Sequence, residues 1–288
     1  MPISVGAPAT LTDGIDGVVP HAVIEPASAE DIASALASAS QQRAAVVIRG
    51  GGTKITWGRP PAPIDIVLSM KRLDKVVAHE YADLTTTVQA GARIDDVNRE
   101  LARHGQWLPV ESPFDGATIG GAIATNDSGP LRHRYGTPRD LVIGIRLALA
   151  DGRLIKAGGN VVKNVAGYDL GKLVSGSFGS LAAIVSATFK LTPLPGASST
   201  LVATFGDAGA LVSALSAING SQLEAATCEV HAAPRGASVV SFQLLLKFES
   251  TPGALNAHVQ KARALVGNAT CEVVTAAIEA DLWRDHSR

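Results

Sequence analysis

At 288 residues, 46% hydrophobic and 18% charged, the chain is long enough for one large or two ordinary domains with substantial cores. That excludes a disordered tail or a small disulfide-stapled scaffold. With 25 Lys+Arg against 26 Asp+Glu the formal net charge is −1, so the broad basic field of a nucleic-acid-binding protein is missing. Cys228 and Cys271 lie far apart without C-x-x-C spacing, and the seven histidines show neither H-x-x-x-H nor H-x-E spacing, so no metal site is expected. The cysteines read as small core residues in a reducing compartment. The N-terminal residues lack a basic stretch followed by an apolar one, as a secretory signal requires. No uncharged apolar run reaches the roughly 18 residues of a membrane span, residues 141–150 being interrupted by Arg146. The expectation is a cytoplasmic chain with no direct membrane span.

In chain order, Ser28 and Asp31 stand in capping-box spacing before Ile32 and Leu36, which predicts a helix from about 28 to 41. The β-branched run at 45–48 is a strand broken abruptly by Gly50-Gly51-Gly52, a strand feeding a glycine loop. Residues 64–68 and 85–89 read as further strands. Ile94, Val97 and Leu101 have helical spacing, with Gly105 placed to end the helix in the left-handed conformation. Residues 118–124 carry too little charge for a surface helix and look made for close backbone approach. Alternation from Leu141 to Leu149, then Asp151-Gly152 and Leu154-Ile155-Lys156, predicts a hairpin. Val185, Ala187, Phe189 and Leu191 alternate again until Pro193 and Pro195 stop the strand.

Past Gly196 the pattern changes to strand 201–205, helix 208–218, strands 228–231 and 239–249, helix 252–266 and strand 271–274. This β-α-β-β-α-β order is that of a split-βαβ, ferredoxin-like sheet. The Pro-Leu-Pro-Gly linker sets the expected boundary, giving domains 1–196 and 197–288.

Three glycine-rich segments suggest loops converging on a polyphosphate: Gly50-Gly51-Gly52, Gly120-Gly121 and Gly176-Ser177-Phe178-Gly179. Backbone amides without intervening side chains can point at phosphate oxygens. Thr53 adds a hydroxyl, and Arg49 or Lys54 a positive charge. The common nucleotide fingerprints do not fit. The first loop lacks the third glycine of a Rossmann turn. Gly167-x-x-x-Gly171-Lys172-Leu173 is one residue too short for a Walker A loop and has Leu173 in place of Ser or Thr. No G-x-S-x-G elbow is present.

The segments that remain resemble, in order, the FAD-binding fold of the vanillyl-alcohol oxidase and p-cresol methylhydroxylase (PCMH) type. They are residues 46–54, Val88-Gln89-Ala90-Gly91, Pro113 with Thr118-Ile119-Gly120-Gly121, Thr125-Asn126-Asp127-Ser128-Gly129, Arg134-Tyr135-Gly136 and Gly176-Ser177-Phe178-Gly179. The run Lys163-Asn164-Val165-Ala166-Gly167-Tyr168-Asp169-Leu170 is similar to the FAD-binding E-subunit family of bacterial glycolate oxidase. The resemblance implies an α+β flavoprotein, with a two-lobed PCMH-type FAD-binding domain followed by a partial ferredoxin-like cap. It implies cofactor contacts from Arg49, Gly50, Gly51, Gly52, Thr53, Lys54, Pro113, Thr118, Ile119, Gly120, Gly121, Thr125, Asn126, Ser128 and Gly129, with Ile184 and Val185 near the adenine or flavin. Relatives with covalent flavin often carry His after the first glycines. Here Thr53 and Lys54 stand in that region, which implies non-covalent FAD. Phe178 replaces the usual acidic residue of G-S-E-G, and Ala182-Ala183 a common Leu-Gly. The chain is also expected to lack the last part of the family's second domain.

The function so implied is FAD-dependent oxidation of glycolate or a related small 2-hydroxy acid. Electrons would pass to a larger flavin subunit and an iron–sulfur subunit, with membrane association only through that complex. The alternative is a non-catalytic FAD-containing assembly or electron-transfer subunit. A nicotinamide-dependent reductase of the same fold is disfavoured by the 163–170 run. No general base stands out; Lys163 and Tyr168 are the polar candidates for catalysis.

Overall fold

The computed structural model describes residues 7–59, 63–160, 167–235 and 239–286. One compact unit comprises Met1–Ser128 and Thr137–Pro193, the other Gly129–Gly136 and Leu194–Arg288.

The first unit is built on two sheets. In one, Ala22–Ile24 and Val46–Arg49 lie parallel on either side of Ile66–Ser69, and Ala7–Pro8 adds an antiparallel edge. Ile66–Ser69 is buried along its whole length, as the apolar run of a parallel central strand requires. The helix Ala29–Gln41 makes the crossover between the two flanking strands. Its start matches the expected cap. The Ser28 hydroxyl accepts the Asp31 amide at 3.0 Å, while the Asp31 carboxylate reaches back to the Ala27 amide at 3.0 Å.

The second sheet is antiparallel, in the order Val76–Glu80, Thr85–Gln89, Ala183–Lys190, Val142–Ala148, Leu154–Gly158. The Asp151-Gly152 hairpin forms as the sequence predicts, with Gly152 at φ 85°. Val76–Glu80 was not anticipated, because its half-exposed edge position removes the regular alternation that marks a strand. One core joins both sheets. Ile32 and Leu36 meet Leu68 and Met70 from the first sheet, Val88, Leu147 and Phe189 from the second, and the helix residues Val97, Leu101 and Ile123.

The stretch expected to serve close backbone approach is a short helix, Ile119–Thr125. Both descriptions hold. Ile119, Ala122 and Ile123 are buried, and the Gly120 amide donates to the Ala90 carbonyl at 2.8 Å. A Cβ on Gly120 would lie 2.8 Å from the Ala90 methyl, so glycine is what lets this helix sit against the strand end.

The second unit contains the split-βαβ sheet in full. Its strands run Thr227–Arg235, Val239–Ser250, Ala197–Phe205, Thr270–Val274 across the sheet, all antiparallel. The helices Ala208–Asn219 and Pro252–Leu265 cover one face, burying Leu211, Ile218 and Val259 against Leu201, Leu244, Leu246 and Phe248. A further helix, Ala276–His286, follows. Its Glu279 carboxylate, 3% exposed, accepts the Ser198 hydroxyl and, at 2.6 Å, that of Thr200. Trp283 Nε1 donates to Thr200 Oγ1 at 2.9 Å. The segment Gly129–Gly136 is fastened to this unit through Glu249. The Tyr135 hydroxyl donates to Glu249 Oε2 at 2.7 Å, Arg134 to the Glu249 carbonyl at 3.2 Å, and Lys247 Nζ lies 2.9 Å from Oε1. Burial first, and the hydrogen-bonded Glu249 carboxylate second, push the Tyr135 hydroxyl well above the ordinary tyrosine range.

The whole is an α+β fold, as expected. Among the described residues no helix is long and apolar enough to cross a membrane, and no three His, Cys, Asp or Glu are grouped to hold a metal.

Candidate functional site

The glycine loop follows the C-terminal end of Val46–Arg49, and its glycines have a packing reason. A Cβ on Gly50 would lie 2.2 Å from Thr118 Oγ1, and one on Gly51 would lie 2.0 Å from the Gly116 carbonyl oxygen. Gly52 adds a left-handed φ of 74°. The loop is therefore pressed edge-on against residues 116–118. Among the described residues, the amides of Gly50, Gly51, Gly52 and Thr53 have no protein acceptor. A run of unspent amides is what a pyrophosphate takes up.

Two pockets of the first unit meet at Gly50. One is small and apolar, lined by Ile48, Met70, Ala90, Ala124, Ile184 and Phe178, with Gly120, Gly121 and Gly179 contributing backbone. The other is a polar cleft of about 630 Å³ that takes in Arg49, Gly51, Arg93 and Thr118. Strand ends from both sheets thus deliver Ile48, Met70, Ala90 and Ile184 to one place, while the helix Ile119–Thr125 and the loop before Ala183–Lys190 close it.

The two basic residues of the loop are already committed. Arg49 lies 2.8 Å from Asp13. That hydrogen bond, with the Thr10 backbone and side chain, holds the Asp13 carboxyl at about 2, well below the usual carboxylate range. Lys54 is buried, with Nζ 2.7 Å from Asp127 Oδ2 and 3.1 Å from Ser112 Oγ, which itself donates to Asp127 at 2.9 Å. Trp57 and Phe114 flank the ammonium group, their ring centroids 5.9 Å and 5.4 Å away. Lys54 joins the first loop to the 125–129 segment.

The structure brings Arg49, Gly50, Gly51, Thr118, Gly120, Gly121 and Ile184 to the pockets. Gly52 and Thr53 stay on the loop between them and Lys54. Others of the expected residues serve the fold. The Gly120 amide is spent on Ala90, Ile119 and Val185 are core, and the Val185 carbonyl accepts the Ala90 amide at 3.0 Å. Thr118 caps the short helix by accepting the Gly121 amide at 3.3 Å, and Thr125 Oγ1 donates to the Gly121 carbonyl at 2.8 Å. Asn126 ends that helix in a left-handed conformation, and its side chain accepts the Arg139 amide at 3.1 Å. Pro113 and Ser128 are half-buried, and Gly129 opens the segment that belongs to the second unit. Lys163 lies outside the described residues. Tyr168 is 91% exposed and lines a separate cleft with Arg139, Lys172 and Lys190.

Sequence reasoning missed Asp127 and Ser112 as partners of Lys54, although Asp127 stood inside a motif already singled out. It also missed Asp13 and Met70, which carry no local signal, whereas Ala90 stood in the Val88-Gln89-Ala90-Gly91 segment. The Ser177 hydroxyl, next to Phe178 in the third glycine loop, is buried with no hydrogen-bond partner among the described residues.

Residues 20–158 match the family model described as FAD binding domain. Those residues, just under half of the chain, are thus similar to an FAD-binding domain. The free amides of the first loop, the glycine backbone at Gly50 and Gly121, and the apolar pocket beside them fit that cofactor. The flavin domain has curated relatives. A Bacillus subtilis glycolate oxidase subunit GlcD is 36% identical over 212 residues, 73% of this chain and 45% of that protein. An Archaeoglobus fulgidus D-lactate dehydrogenase is 37% identical over 171 residues, 59% of this chain and 38% of that protein. An Escherichia coli glycolate oxidase subunit GlcE is 36% identical over 158 residues, 54% of this chain and 45% of that protein. The chain thus spans less than half the length of these relatives. Among solved structures, an alkyldihydroxyacetonephosphate synthase superposes with a TM-score of 0.78, at 20% identity, covering 94% of this chain and 56% of that one, which establishes the fold.

Proposed function

We propose that this chain is the FAD-binding part of an oxidoreductase acting on glycolate or a related small 2-hydroxy acid, and that it works with a larger flavin subunit and an iron–sulfur subunit. The observation that carries the cofactor is the glycine loop, whose amides from Gly50 to Thr53 have no protein acceptor while its Cα faces press on Thr118 and Gly116. What supports the substrate class is the relationship to glycolate oxidase subunits and to D-lactate and D-2-hydroxyglutarate dehydrogenases. Bound FAD supplies the hydride acceptor for oxidation of the CH–OH group. The loop residues hold it, and the Lys54–Asp127 pair keeps the loop in register with the 125–129 segment. The flavin is held non-covalently; in support, among the described residues neither His nor Cys lines the two pockets that meet at Gly50. Residues 1–196, apart from 129–136, which group with the second unit, form the flavin domain, and 197–288 the domain facing substrate or partner.

A second reading, an electron-transfer or assembly subunit whose partner holds the substrate, is favoured by one feature. Among the described residues, the apolar pocket is lined by no charged group that could act as a base, and Tyr168 is in another cleft. Anaerobic mixing of the purified flavoprotein with glycolate or D-lactate, with and without the partner subunits, separates the two. Bleaching in the isolated chain assigns catalysis to it. Bleaching only with partners assigns it to the complex, and no bleaching in either case contradicts the substrate class.

A further inference from the structure

The third glycine loop contains a residue that neither packing nor backbone preference explains. Phe178 is in the left-handed region at φ 54°, between Gly176 at 77° and Gly179 at 75°. A bulky L residue is rarely found there, and it persists only where surrounding contacts over-determine the backbone. Those contacts are present. The Phe178 amide donates to the Ala124 carbonyl at 2.8 Å, and the Gly176 amide to the Ile123 carbonyl at 3.0 Å, so the loop is riveted to the end of the helix Ile119–Thr125. The strain delivers no side chain to the core, since Phe178 remains 57% exposed. Phe178 instead lines the apolar pocket with Ile48, Met70, Ala90, Ala124 and Ile184.

We propose that Phe178 is an aromatic positioning residue for the adenine end of FAD, its ring providing a stacking face in the pocket beside the pyrophosphate loop. This rests on the FAD reading above and extends it to the nucleotide half of the cofactor. Both ring systems of FAD are flat and aromatic, but their needs differ. The isoalloxazine gains negative charge on reduction and is tuned by charged groups near N1 and N5. Among the described residues, none of the side chains lining this pocket is charged. A purine carries no charge through the reaction and binds by burial and stacking; the aliphatic lining of this pocket offers the first and Phe178 the second. Gly50, shared with the polar cleft, joins the amides suited to the pyrophosphate to this apolar end.

The test compares FAD, FMN and ADP on the flavin-stripped full chain, for the parent, Phe178→Ala, Phe178→Leu and Phe178→Tyr, with the melting temperature of each apo form. FMN lacks the adenine and serves as the internal control. Phe178→Ala is expected to weaken FAD and ADP roughly tenfold, the scale of one base–aromatic stack, while FMN affinity stays within twofold. Phe178→Tyr should retain FAD affinity, and Phe178→Leu should behave like Phe178→Ala. Apo melting temperatures should be unchanged or higher in the alanine variant. Undiminished FAD affinity in Phe178→Ala, or equal losses for FAD and FMN, overturns the proposal while leaving the flavin reading intact. A parent chain that binds neither FAD nor ADP overturns both.

Discussion

Lys54 Nζ and Asp127 Oδ2 lie 2.7 Å apart, with side chains only 5% and 9% exposed, and the pair ties the first glycine loop to the segment that ends the helix Ile119–Thr125. A buried pair of this kind adds little net stability over an apolar substitute, because both charges must be desolvated. Removing one partner is a different matter, since it strands the other charge. Lys54→Met is therefore expected to cost about 3–5 kcal/mol in urea unfolding, and the double variant Lys54→Met with Asp127→Leu should recover most of that loss. Equal destabilisation in the single and double variants would show that the two residues are not coupled.

The glycines divide into two classes with different mutational outcomes. At Gly51 a side chain meets the Gly116 carbonyl, so Gly51→Ala is expected to destabilise the protein by about 1–3 kcal/mol, through overpacking that backbone cannot easily relieve. At Gly121 a Cβ finds only Thr118 Oγ1, at 3.1 Å. Gly121→Val should keep the fold and place a side chain in the apolar pocket, lowering FAD content per chain. Circular dichroism melting and the flavin-to-protein absorbance ratio separate the outcomes. A Gly121→Val protein with full flavin content would contradict the assignment.

Asp13 gives a pH signature. Its carboxyl is held at about 2 by the Arg49 hydrogen bond and the Thr10 contacts, below its unfolded value of about 4. A carboxyl lowered by folding stabilises the fold fully above its unfolded value and loses that contribution as pH falls through the folded one. Asp13→Asn should therefore be less stable than the parent by a constant margin from pH 5 to 7, with the margin closing between about pH 4 and 2. Urea midpoints across that range read it directly. A margin that widens toward acid would reverse the assignment.

Much of this architecture is legible because it rests on local rules. Ser28 and Asp31 predict the start of a helix, Asp151-Gly152 predicts a hairpin, and the strand–helix order past Gly196 predicts the split-βαβ sheet. The site is less legible where its logic is long-range. Beside a glycine loop, Arg49 and Lys54 look like phosphate ligands. Only the fold reveals that Asp13 and Asp127 have claimed them, leaving the backbone to meet the anion. In the sequence, Gly50 and Gly51 read as positions where a phosphate meets bare backbone. What approaches from their Cα side, however, is the chain's own Thr118 and Gly116. The helix Ala276–His286 escaped notice because its attachment is polar, through Glu279, rather than an apolar stripe.

That attachment is itself testable. Glu279→Ala removes the acceptor of two hydroxyls and leaves Ser198 and Thr200 to find new partners. Trp283→Phe deletes only the indole donor to Thr200. The first should cost about 2–3 kcal/mol and the second about 1 kcal/mol, measured by chemical denaturation. The reverse ranking would mean that apolar packing of Trp283, rather than the carboxylate, holds the helix.

The most direct test of the central claim is the cofactor on the purified chain. A flavin spectrum at one FAD per chain, with all of the flavin released into the supernatant on acid precipitation and identified there as FAD, is the predicted result. A chain that neither purifies with FAD nor takes it up when it is added, or flavin colour that stays with the acid pellet, would contradict the account.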